Sequence, residues 1–287
     1  MKLSEIKQAL AEDQIQLTKS LGQNFLHDGN QLRRIVKTSE VGVGVRVLEI
    51  GPGLGALTSQ LLEAGAQVLA IEKDQRLVQQ LSRRLEGAAR LDLRHADALV
   101  FLEQEVMDWS DWKVVANLPY SVASPILLAL ARMPATPKQV VVTLQLEVAQ
   151  RIVSRPGSQD YGVFGLLIQA RYDARGYFKI PPTCFFPAPV VDSACLNLVR
   201  RREPPLTQAQ YETFARLLKQ AFSQRRKMML KLLKTQWPAE PLIAAFAKAG
   251  VSPQARAESV SLEQFIELAK ELHVSPPPPL DLEASHP

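Results

Sequence analysis

Cysteine and histidine are scarce in this chain, and each shortage removes a class of function. The two cysteines, Cys184 and Cys195, are too few for a disulfide framework and fit a reducing compartment. The four histidines (His27, His95, His273 and His286) are scattered without metal-ligand spacing, so no metal site is expected. No apolar run approaches the roughly 20 residues that a membrane-spanning helix needs. Met1 to Asp13 mixes charged and apolar side chains, unlike a secretory signal. The expectation is a cytoplasmic protein, monomeric by default, with no membrane partner. Its 287 residues, 46% hydrophobic, can bury one ordinary core and a smaller second one.

Acidic residues are missing from one stretch in particular. Between Ser223 and Lys234 the chain carries Arg225, Arg226, Lys227, Lys231 and Lys234 and no acid, and Arg200, Arg201 and Arg202 form a second basic block. The net charge of +5 hints at an anionic partner. Each block taken alone reads equally well as a solvated face.

From Val45 to Gln145 short apolar strands alternate with helical stretches: strands at 45–50, 67–72, 91–95, 113–116 and 139–144, helices near 56–64, 75–85 and 125–131. Such alternation predicts an α/β fold with a doubly wound parallel sheet. Residues 147–153 and 164–172 read as helices, while 176–180 and 190–199 read as strands joined by a proline-rich segment, an antiparallel pair at a sheet edge where proline is tolerated. Pro204-Pro205 marks a boundary, beyond which the apolar period is helical. The expected domains are 1–203, a small helical domain at 204–274, and a proline-rich tail at 275–287 with no core-forming capacity.

Two loops carry the chemistry. Asn117-Leu118-Pro119-Tyr120 follows an apolar strand, where open α/β sheets place their sites. Asn117 offers an amide oxygen to an exocyclic amine. Pro119 donates no N–H and biases Leu118 to an extended backbone, which can aim the Leu118 carbonyl at the same amine. Tyr120 brings a ring able to stack on a base. A plain polar turn closed by proline is the alternative.

Earlier, Gly51-Pro52-Gly53-Leu54-Gly55 ends the first strand. Its glycines also satisfy a dinucleotide fingerprint, but Pro52 removes an N–H that a pyrophosphate would want, and a cofactor without phosphate such as S-adenosylmethionine (AdoMet) loses nothing there. Glu72, 21 residues beyond Gly51, can accept from ribose hydroxyls. Asp97 can accept from an adenine amine or cap the following helix.

In this order and on these elements, the glycine loop, Glu72, Asp97 and the Asn117–Tyr120 loop resemble the class I AdoMet-dependent methyltransferases that act on exocyclic amines. Lys19-Ser20-Leu21-Gly22-Gln23-Asn24-Phe25-Leu26, Phe185-Phe186-Pro187-Ala188-Pro189 and Ala221-Phe222-Ser223-Gln224-Arg225-Arg226-Lys227 are similar to segments of the ribosomal RNA adenine dimethyltransferases. The resemblance spans about residues 17–272. It departs at Leu146, where family members often carry a basic residue.

The resemblance implies a Rossmann-like, mostly parallel seven-stranded sheet with a small all-α C-terminal domain. It implies AdoMet held by Asn24, Leu26, Gly51, Gly53, Glu72, Asp97 and Asn117, with Asn117, Leu118, Pro119 and Tyr120 at the reacting amine. Tyr120 and Phe185 would sandwich the target base, unless Phe185 is a core side chain and its neighbour Phe186 takes that place. Arg225, Arg226, Lys227 and Lys231 would grip RNA. The implied activity is dimethylation at N6 of two adjacent adenosines in the 3′-terminal hairpin loop of 16S rRNA, within the small (30S) ribosomal subunit or its precursor. A 23S rRNA adenine methyltransferase, a non-catalytic assembly factor and an NAD-dependent oxidoreductase are the rivals; the last leaves Pro52 and the basic helical domain unexplained.

Overall fold

The computed structural model describes residues 1–16, 22–105 and 107–274. Lys19, Ser20 and Leu21 of the N-terminal signature, and the tail from residue 275, lie outside the described residues.

The chain divides into two compact units. The first comprises Met1–Val153 and Arg171–Arg202. It opens with helix α1 (Leu3–Glu12), the two-residue strand β1 (Phe25–Leu26) and α2 (Gly29–Ser39), then alternates β2 (Arg46–Ile50), α3 (Ala56–Glu63), β3 (Gln67–Glu72), α4 (Gln75–Arg84), β4 (Leu91–His95), α5 (Ala98–Gln104), β5 (Lys113–Asn117), α6 (Tyr120–Arg132), β6 (Gln139–Gln145) and α7 (Leu146–Ile152). After an excursion into the second unit it returns through β7 (Tyr172–Ile180), the short β8 (Phe185–Phe186) and β9 (Ser193–Arg200).

The main sheet has seven strands in the order β4-β3-β2-β5-β6-β9-β7. The first five are mutually parallel, and β9 runs antiparallel to both β6 and β7. Valine-rich β5 and β6 are buried at nearly every position, as expected of central strands covered on both faces. From β2 the chain builds outward through β3 and β4, then crosses back to β5. The crevice at the carboxyl ends of β2 and β5 is therefore a topological switch point.

The antiparallel pair expected near the C-terminal end of the first domain is present, with β7 as the edge strand. Helix α6 begins at Tyr120, well before the 125–131 segment that reads as helical in the sequence. Pro119 caps it, and Pro125 lies within its second turn, where one N–H is lost without ending the helix. Tyr120 is thus a helix residue and not part of the loop.

The second unit contains Ser154–Ala170 and the chain from Glu203 onward. The first domain does not run unbroken to residue 203, because 154–170 folds with the helices that follow. Its helix α8 (Val163–Gln169) joins α9 (Gln208–Ala221), α10 (Met229–Leu233), α11 (Ala239–Lys248) and α12 (Leu262–Val274). The Tyr211 hydroxyl donates to the Leu167 carbonyl at 3.0 Å, and the Tyr161 hydroxyl to the Val260 carbonyl at 2.7 Å. Helix α9 starts at a capping box between Thr207 and Gln210 and buries Tyr211, Phe214, Leu217 and Leu218 on one face. Each such apolar side chain contributes about 1.5–3 kcal/mol. No helix among the described residues is long and apolar enough to cross a membrane.

Candidate active site

A cleft opens at the switch point, where open α/β sheets place their ligands. Asn24, Gly51, Gly53, Glu72, Asp97, Asn117, Leu118 and Pro119, eight residues singled out in the sequence, line it. They come from the segment before β1 and from the carboxyl ends of β2, β3, β4 and β5.

The glycine loop is shaped by close approach. Gly51 and Gly53 adopt φ of 69° and 57°, the left-handed region that side chains disfavour. A Cβ on Gly53 would meet the Phe25 ring at 2.8 Å. The Gly53 N–H donates to Glu72 Oε2 at 3.1 Å, and the Lys73 and Asp74 N–H groups donate to Oε1 at 2.8 and 2.9 Å. A carboxylate has about four acceptor positions, so three backbone bonds leave room for a ligand hydroxyl. Burial raises the Glu72 carboxyl above its ordinary range, with these N–H groups opposing the shift.

Asp97 performs the capping role that was its alternative: Oδ1 accepts from the Leu99 N–H at 2.9 Å. Its Oδ2 pairs with Lys73 Nζ at 2.8 Å, and the lysine holds the Asp97 carboxyl below the usual range. Both residues border the cleft, so capping does not remove Asp97 from it.

At the end of β5, Asn117 Nδ2 donates to the Asn24 carbonyl at 2.8 Å. A carbonyl only accepts, so this bond fixes which way the amide faces. The Asn117 Oδ1 is left buried with no partner. An unsatisfied buried oxygen costs about 1–3 kcal/mol unless a ligand satisfies it. Next to it, Leu118 gives its N–H to the Thr143 carbonyl at 3.1 Å, leaving its own carbonyl as its remaining polar group.

Three expected site residues stand elsewhere. Leu26 is 3% exposed and belongs to the apolar core with Ile35, Val47 and Cys195; β1 pairs it with Phe185, which turns its side chain away from the cleft that Phe25 lines. Phe185 is likewise 3% exposed in that core, so the stacking expected of it finds no open ring face. Phe186 is the half-buried ring of the pair, with Lys7 Nζ 5.5 Å from its centroid. Tyr120 is half-buried outside the lining, its hydroxyl bonded to Ser193, and burial raises its phenol above the ordinary range.

Residues missed from sequence include Lys73, which neutralises Asp97, and Gln23, whose Nε2 donates to Asp74 Oδ2 at 3.0 Å. Glu49 also had no role assigned. It is 1% exposed in β2, and burial pushes its carboxyl up to about 8, with Thr58 opposing and the Glu72 charge adding. An acid inside an apolar strand was the available signal. In the second unit, Arg225, Arg226, Lys227 and Lys231 are exposed; the first three occupy the turn between α9 and α10, not a helix face. None of the four has an ion-pair partner among the described residues.

Comparison with known proteins agrees with this architecture. The ribosomal RNA adenine dimethylase family matches residues 14–273. Ribosomal RNA small subunit methyltransferase A of Protochlamydia amoebophila is 39% identical over 96% of this chain and 98% of its own. The Streptococcus pneumoniae protein of that name is 41% identical over 88% of this chain and 91% of its own. Among solved structures, the 23S rRNA methyltransferase ErmE aligns with a TM-score of 0.67 at 29% identity, covering 86% of this chain and 99% of that one. A dimethyladenosine transferase from Plasmodium falciparum aligns at 0.70 and 23%, covering 87% and 98%, a likeness of fold.

Fold and cleft are those of a class I AdoMet-dependent methyltransferase. Within that class, the chain belongs to the ribosomal RNA adenine dimethylase family. AdoMet is the cofactor of this family, and the cleft fits it: a buried acid with a spare acceptor position and a proline where a pyrophosphate would need an N–H.

Proposed function

We propose that this enzyme transfers methyl groups from AdoMet to N6 of two adjacent adenosines in the 3′-terminal hairpin loop of 16S rRNA, dimethylating each. It would act as a cytoplasmic monomer on the small ribosomal subunit or its precursor. The observation that carries the reading is the buried, unpartnered oxygen of Asn117, a residue that lines the cleft. Adenine N6 is a weak nucleophile because its lone pair is delocalised into the ring. Asn117 Oδ1 and the Leu118 carbonyl accept its two hydrogens and favour a more tetrahedral nitrogen, whose lone pair then leaves the ring plane. Bound AdoMet supplies a methyl group on a positively charged sulfur. Rate comes from alignment and electrostatic fit, and no strong base is needed because the nitrogen turns acidic only as it is methylated. After the first transfer one acceptor is idle, so the monomethylated amine still fits.

The cofactor side is assigned to Asn24, Gly51, Gly53, Glu72 and Asp97. Tyr120 and the half-exposed Phe186 are the rings assigned to the extruded base, whose flipping costs a few kcal/mol and least in a loop. Arg225, Arg226, Lys227 and Lys231 are assigned to RNA phosphates, their exposure and lack of ion pairs supporting that role. The test is methyl transfer to purified unmethylated small subunits, followed by mapping of the modified nucleotides. Dimethyladenosine at two adjacent positions of the 3′ hairpin is expected. No transfer to small subunits, with transfer to 23S rRNA offered in a parallel reaction, would make the enzyme a 23S methyltransferase and end this reading.

A further inference from the structure

The Arg200–Arg202 block has no part in the cleft, and the fold gathers other cations around it. At the opposite end of the sheet, an open basin is lined by Lys113, Lys138, Arg175, Arg200, Arg201 and Arg202, with Glu40 as the lining acid. Lys113 and Asn117 are the two ends of β5, so basin and amide lie about 13 Å apart along the strand at 3.3 Å per residue. One nucleotide cannot occupy both.

Half of these cations have internal work. Lys113 Nζ closes the end of α2, donating to the Ser39 and Glu40 carbonyls at 2.5 and 3.0 Å. The Arg200 guanidinium holds the Ser110 and Thr136 carbonyls at 3.1 and 2.7 Å, and Arg201 pairs with Asp173 at 3.2 Å. Lys138, Arg175 and Arg202 have no ion-pair partner among the described residues. Three separate elements deliver them: the approach to β6, the edge strand β7, and the exit from β9.

Arg175 is placed there by a bulge. Ala174 pairs with Leu198 and Tyr177 with Leu196, so Arg175 and Gly176 together oppose Asn197. Gly176 takes φ of 103°, and a bulge of this kind re-aims the neighbouring side chain. The bulge thus adds a third cation without an ion-pair partner to a basin whose lining acid is Glu40. Burial lowers the pKa of Lys113, and the Lys138 charge adds to that shift while Glu40 opposes it.

We infer that this basin is a second RNA-binding surface, gripping phosphates of an rRNA segment distinct from the one presented to Asn117. Several unpaired cations on a rigid sheet end suit a phosphate backbone, which rewards each neutralised charge by counterion release. The inference rests on the rRNA substrate proposed above. It predicts that the enzyme reads its substrate at two separated places, so that a short hairpin is a poorer ligand than the whole subunit.

The test is the triple variant Lys138→Glu/Arg175→Glu/Arg202→Glu, with Lys138→Gln/Arg175→Gln/Arg202→Gln as the milder form if the first fails to bind AdoMet normally. Small-subunit affinity should fall about tenfold or more. The slope of log affinity against log salt should become shallower by about 2 to 3 for three lost contacts. Affinity for an isolated 3′ hairpin oligonucleotide and turnover at saturating subunit should stay at wild-type values. Unchanged subunit affinity and slope in a variant that binds AdoMet normally would overturn the inference. So would a loss seen on subunits but absent on protein-free 16S rRNA, which would assign the basin to a ribosomal protein. Failure of the wild-type enzyme to bind or methylate small subunits would instead count against the substrate proposal itself.

Discussion

At the carboxyl ends of β2, β3 and β5 the strands run into glycine, acid and amide, and the loops fold back to enclose a cleft with largely apolar walls. At the amino end of β5 and just ahead of β6, Lys113 and Lys138 line an open basin. One end desolvates its polar groups: Glu49 and Glu72 are shifted upward by burial, and the Asn117 oxygen is left without a partner. The other leaves Arg175 and Arg202 in solvent. A parallel sheet gives each end a row of loops, and what the loops exclude or admit decides whether that end recognises a small molecule by shape or a polyanion by charge.

The enclosed end should be the more sensitive to single atoms. Asn117→Ala removes the acceptor proposed for the reacting amine, and turnover on small subunits should fall 100-fold or more, the order seen when one preorganised polar contact to a transition state is deleted. AdoMet binding should weaken yet stay measurable. Near-normal turnover would withdraw Asn117 from the chemistry.

A subtler change at the same end is Glu72→Gln. The amide keeps the shape but turns an N–H2 toward one of the backbone donors, Gly53 or Lys73 and Asp74. Charge-assisted hydrogen bonds are worth about 1.5–3 kcal/mol, so AdoMet affinity measured by calorimetry should drop about 10- to 100-fold with turnover at saturation much less affected. Equal affinity would mean that the carboxylate only staples the loop.

The remaining effect is on stability and leaves the chemistry of the cleft aside. An ordinary carboxyl titrates near 4.5 and Glu49 in the folded protein near 8. Between those values the unfolded chain has released a proton that the native state retains. Stability should therefore decline with rising pH across that window, by on the order of 1 kcal/mol per unit at most, and level off above it. Glu49→Gln should flatten the profile. Parallel melting curves for the two proteins from pH 5 to 8 would remove Glu49 as the source.

Much of the enclosed end was legible because its residues are ordered along the chain as they are in space: each acid or amide ends a strand that the alternating pattern already marks. Legibility failed where the partner is remote. The membership of 154–170 in the helical unit depends on Tyr161 meeting Val260 and Tyr211 meeting Leu167, which no local period reveals. Phe185 and Phe186 are neighbours of one type, and only pairing with β1 decides which of them enters the core. The start of α6 was misplaced because Pro125 reads as a helix boundary, although a proline so near a helix start forfeits only one bond. Of the basin only the Arg200–Arg202 block showed in the sequence, since Lys138 and Arg175 join it through sheet register.

The bond from Asn117 to the Asn24 carbonyl joins residues 93 positions apart. If Asn117 receives the reacting amine as proposed, this bond makes the stretch ahead of β1 part of the catalytic machinery. A chain lacking that stretch would keep the sheet and both cofactor acids yet lose the latch that orients the amide, and would be left as a receptor for AdoMet with its reactive oxygen free to swing out of register.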